Sequence, residues 1–113
     1  DVWYTRLTGG STAGTELWPE WTVQQCEELA EVNRGHYSRY LDSLTDQKLL
    51  ESVAYRNSQG AAFETPVQEI LTHVALHGSY HRGQIAANLR QEGFVPQSTD
   101  FIRYVRLEAE RGL

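Results

Sequence analysis

Three stretches of the chain repeat their apolar residues at helical intervals, and one alternates them. From about Glu20 to Leu44, just after Pro19, residues Val23, Cys26, Ala30, Asn33, Tyr37, Leu41 and Leu44 recur in steps of three and four. That period marks one buried stripe along a helix. Between Leu49 and Thr65 the segment "LLESVAYRNSQGAAFET" loses the period and places an Asn-Ser-Gln-Gly turn between the short runs "SVAY" and "AAFE", which predicts a hairpin or an extended loop. A long helix is expected from Pro66 to about Glu92, with Thr65 as N-cap, Gln68 and Glu69 in the first turn and Gly93 as its stop. After "FVPQ", Ser98 or Thr99 is expected to cap a last helix, with Asp100 at its positive end and Phe101, Ile102 and Val105 on its apolar side. The opening "DVWYTRLTGG" reads as the last turns of a helix running out into Gly9 and Gly10. No internal repeat or linker interrupts this pattern, so the expectation is a helical, single domain spanning residues 1–113.

Composition narrows the function classes. A chain of 113 residues that is 40% apolar and 11% aromatic suits one soluble domain with a modest core. No apolar run approaches the roughly 20 residues needed to cross a bilayer, so no membrane association is expected and the chain reads as cytoplasmic. The net charge of -5 and the lone lysine, Lys48, offer no basic face for a phosphate backbone, which argues against nucleic acid as a partner. Cys26 has no partner for an internal disulfide, and Glu27 and Glu28 beside it disfavour a reactive thiolate, so a packing role is expected. The absence of methionine implies that these residues are not a whole primary translation product.

The candidate chemistry lies in "THVALHGSYHRGQIAANLR", where His73, His77 and His81 stand four residues apart. With Val67 at zero and about 100° per residue, Val67, Ile70, Leu71, Val74, Gly78, Ile85 and Leu89 fill one arc facing the core. His81 at about 320° and His77 at about 280° continue that arc, whereas His73 at about 240° lies on its rim. Four-residue spacing stacks two imidazoles so that both can reach one ion. The plain alternative is a pair of core histidines satisfied by hydrogen bonds, but two buried polar rings without partners are costly. By the same reckoning His36 lies to the side of its own helix stripe and reads as solvated. Gln84, at about 260°, is either an orienting partner of an imidazole or a surface residue.

These residues carry a resemblance. "ILTHVALHGSYHRGQIAANLRQEGFVPQSTDFIRYV" is similar to the C-terminal half of the DinB family, small helical metalloproteins of bacteria named for induction by DNA damage. The matching features are His77 and His81, Arg82-Gly83-Gln84, Gly93, Pro96 and Thr99-Asp100, together with an Asp-x-x-Trp-x-x-Arg-Leu-x-Gly opening at Asp1 to Gly10. The resemblance implies an all-α fold, an up-down-down-up four-helix bundle, N-terminally incomplete here because the first helix and part of the second would precede Asp1. It implies a divalent metal held by three histidines, two of them His77 and His81 and the third upstream of Asp1; His73, on the rim by its angle, is the less favoured ligand. Zinc, nickel and iron all suit such ligands. It further implies a homodimer, and within the wider superfamily a metal-dependent thiol transferase joining a low-molecular-weight thiol to a small electrophile. The rival expectation is a non-catalytic metal-binding stress-response protein or a dimeric scaffold.

Overall fold

The structure is a computed structural model, and it describes residues 1–112. In chain order it contains α1 (Val2–Leu7), α2 (Val23–Asp42), α3 (Asp46–Leu50), β1 (Ser52–Arg56), β2 (Ala62–Pro66), α4 (Val67–Gln91) and α5 (Phe101–Glu110). The expected all-α four-helix bundle is overturned: among the described residues five helices accompany a two-stranded antiparallel sheet. The strands arise where the sequence alternates. Tyr55 faces Phe63 across the ladder and Val53 faces Thr65, so aromatic and β-branched side chains pair on one side of the hairpin. Asn57 builds its turn, the side-chain oxygen accepting from the Gln59 and Ala61 amides at 3.0 and 2.9 Å.

Contacts divide the chain into two compact units, Asp1–Thr72 and His73–Leu113. In the first, Asp1 caps α1 by accepting from the Trp3 amide at 2.8 Å. The helix then ends as its glycines predict: Gly9 adopts φ 81°, and Gly10 donates to the Thr5 carbonyl at 2.8 Å. α2 begins at Val23, later than the sequence pattern suggests, because Thr22 and Gln25 form a reciprocal capping box with bonds of 3.2 and 2.9 Å. α3, capped by Thr45, was not anticipated. Trp3 meets Tyr55 edge to face at 5.4 Å, joining α1 to the hairpin. Val67 and Ile70 at the start of α4 are 0% and 1% exposed, the most deeply buried side chains of the core.

Several expectations about this unit fail on coverage rather than on periodicity. The α2 stripe forms a helix with no fully buried residue, Val23 is 77% exposed, and Cys26 is exposed rather than packed. Thr65 lies in β2 and so is not an N-cap: strand passes directly into α4, where the Val67 amide donates to the Glu51 carbonyl at 2.9 Å. His36, expected to be solvated, is half-buried and stacks on Tyr4 with rings 4.5 Å apart.

In the second unit, α4 stops as predicted at Gly93, which has φ 87°, and Phe94 donates to the Leu89 carbonyl at 2.9 Å. α5 starts after Asp100 without a side-chain cap, so neither Ser98 nor Thr99 performs that role. No helix among the described residues is long and apolar enough to cross a membrane.

Candidate metal centre

α4 carries the three histidines on successive turns, and a continuous helix fixes their mutual positions without help from any other element. His73 stacks on His77 with ring centroids 4.9 Å apart and planes 19° apart. His77 and His81 meet edge to face at 4.3 Å and 79°. Their Nε2 atoms are 2.9 Å apart, a hydrogen bond in which one nitrogen donates and the other accepts. The two rings therefore hold different tautomers, one protonated on Nε2 and the other on Nδ1, or else one is charged.

The two nitrogens converge on one point, as a shared ion requires. Ligands at about 2.0–2.1 Å around a tetrahedral zinc lie about 3.4 Å from one another, so a ring adjustment of about 0.5 Å would admit the ion. By donor chemistry and spacing, the pair fits a divalent metal. Among the described residues, however, no group of three histidine, cysteine or acidic side chains is placed to hold one.

His77 is exposed and His81 half-buried, so the pair lies at a more open position than the inward arc suggests. Ile85 and Leu89, assigned to the same arc, are 59% and 38% exposed. Local desolvation, and then repulsion by the charged forms of His81 and His73, hold the His77 imidazole below the ordinary histidine range. A lowered value keeps the ring neutral near neutral pH, the form that binds a cation.

Gln84 donates its amide to the Tyr80 hydroxyl at 3.1 Å. Tyr80 in turn lies nearly parallel to His77 at 6.0 Å and against His81 at 5.7 Å. An open depression of about 500 Å³ is lined by Leu76, Ser79, Tyr80, Gly83, Gln84 and Ala87, and so shares Tyr80 with the histidine cluster. Tyr80 was missed in the sequence, although its place three residues after His77 and four before Gln84 is itself a helix-neighbour signal.

The DinB family description matches residues 1–112. The chain belongs to the DinB family. It is 32% identical over 100 residues to Protein DinB of Bacillus subtilis (strain 168), a match covering 88% of this chain and 58% of that protein. The chain thus spans less than two thirds of that relative's length. No solved structure gave a significant match. Family membership covers both the histidine helix and the Asp1 to Gly10 segment on which the resemblance was read.

Proposed function

We propose that this DinB-like chain supplies two ligands, His77 and His81, to a divalent-metal centre of an S-transferase that joins a low-molecular-weight thiol to a small electrophile. The observation that carries the reading is the 2.9 Å approach of two Nε2 atoms on adjacent turns. When bound, zinc, nickel or iron would supply Lewis-acid activation of a thiol or water. The chain's own residues prepare the donors. Ligation needs both Nε2 atoms free, so each ring must carry its proton on Nδ1, and the lowered proton affinity of His77 favours loss of the extra proton. Tyr80, held by Gln84, limits rotation of both imidazoles from one side. The exposed face of His77 leaves room for a substrate to approach. Among the described residues no third histidine, cysteine or acidic side chain joins the pair, so this reading calls for a further donor from elsewhere.

Metal analysis of the purified full-length protein tests the reading. Stoichiometric divalent metal is expected, lost in His77→Ala and in His81→Ala, together with metal-dependent transfer of a thiol to an electrophile. A protein with no stoichiometric metal would refute it. A second reading, a dimeric metal-binding scaffold without catalysis, is favoured by the apolar residues of α5, where Phe101 and Ile102 are 75% and 53% exposed. Retained metal and a concentration-dependent dimer, with no transfer activity on any thiol, would select that reading.

A further inference from the structure

Arg6 lies on the wall of a cleft of about 1070 Å³ within the Asp1–Thr72 unit, between the loop at 10–17 and the hairpin. It is 8% exposed, an unusual position for a charge. Its guanidinium carbon is 4.5 Å from the centroid of the Trp3 ring and 5.1 Å from that of Tyr55. Nη2 donates to the Arg56 carbonyl at 3.2 Å, while the buried Nε–H has no hydrogen-bond acceptor among the described residues. The ion pairs among the described residues are Arg34–Glu31, Lys48–Glu51 and Arg111–Glu108, so no carboxylate neutralises Arg6. Ring faces and one carbonyl offset part of the cost of desolvating a cation, but a buried charge is ordinarily paired.

The rest of the cleft extends the same imbalance. Arg56 lies on its wall, bonded through Nη1 to the Gly60 carbonyl at 2.7 Å and likewise without an acidic partner among the described residues. Glu64 is the acid on the lining, and it pairs with neither arginine. Ser11, Thr12 and Thr15 bring hydroxyls from the loop. In a chain of net charge -5, this cleft gathers two cations against one anion.

We propose that the cleft binds a small organic anion through a carboxylate or phosphate group, with Arg6 as the anchor and Arg56 as the outer cation. The cleft's volume is that of a small-molecule site. Trp3 and Tyr55 hold the Arg6 fork in place, so little side-chain freedom is lost on binding, and a planar guanidinium suits either oxyanion. The ligand supplies the negative charge that the fold does not.

The test is an NMR titration of the purified, nitrogen-15-labelled protein with inorganic phosphate and, separately, with succinate, at ionic strength matched by sodium chloride. A saturable shift of the Arg6 Nε–H resonance is expected with at least one of them. A response to phosphate alone identifies a phosphate ligand, and a response to succinate alone a carboxylate. Because replacing Arg6 removes buried ring contacts, the comparison variant is Arg56→Gln at an exposed position, expected to weaken binding about tenfold. No saturable shift beyond the chloride control with either anion overturns the proposal, as does unchanged affinity in Arg56→Gln.

Discussion

Replacing Ile70 and Ile85 by alanine, one at a time, separates what helical period specifies from what packing specifies. Both belong to one apolar arc of α4, yet Ile70 is 1% exposed and Ile85 59%. Each substitution removes three carbons. At about 0.8 kcal/mol for each buried carbon, Ile70→Ala loses about 2.4 kcal/mol of transfer energy, and the cavity left behind raises the cost towards the upper part of a range of about 2–5 kcal/mol. At Ile85, with more than half the side chain already in water, the same reckoning leaves about 1 kcal/mol. The better helix propensity of alanine returns about 0.4 kcal/mol at either position. Thermal unfolding followed by far-ultraviolet circular dichroism should therefore show Ile70→Ala melting about 10 °C or more below the parent and Ile85→Ala within about 5 °C of it, at about 4–8 °C per kcal/mol. Equal losses at the two positions, unchanged on dilution, would refute the reasoning, since they would show the two side chains to be packed alike.

Three further outcomes follow from local features. Thr22→Ala removes the oxygen that accepts from the Gln25 amide and should cost about 1 kcal/mol, read as a lower melting midpoint, whereas Thr22→Asp should retain most of it. The folded His77 has a lower proton affinity than the unfolded one, so the unfolded chain takes up more protons as pH falls from 7; stability should decline through the unfolded value of about 6.5, and His77→Gln should flatten that slope in melts run from pH 7.5 to 5. Burial pushes the Tyr37 phenol up to about 12, with its hydroxyl unpartnered among the described residues, so stability should fall as pH rises above about 10, where the unfolded phenol ionises first; ultraviolet titration should show a late component to which Tyr37 and the also-raised Tyr40 contribute, and Tyr37→Phe should reduce it without loss of stability.

What was legible in the sequence depends on how far each relation reaches along the chain. Gly93 and the Gly9-Gly10 pair stop their helices because a positive φ and a bond back across one turn are local events, and the hairpin turn is likewise closed by Asn57 on residues two and four positions away. The His77–His81 pair is partly of the same kind. One helical turn brings the two rings together, and their orientation then decides the contact: His73 and His77, at the same spacing, stack instead of joining their Nε2 atoms. Coverage is not local, and the inward arc failed on it: period groups Ile70 with Ile85 and His77, but only the beginning of that arc is buried. The hairpin expected from the alternating runs forms, and it is what an all-α assignment leaves out, since those runs pair with each other and keep that stretch outside any helix. Arg6 is the extreme case. As a sequence position it is one arginine after a tryptophan; its lack of an acidic partner becomes visible only when Tyr55 and the Arg56 carbonyl, some fifty residues later, close around it. The histidine pair is therefore an arrangement that a sequence can declare and a single helix can place, whereas the arginine-lined cleft is a property of tertiary packing: mutations in the hairpin should perturb Arg6 while leaving the imidazole contact intact.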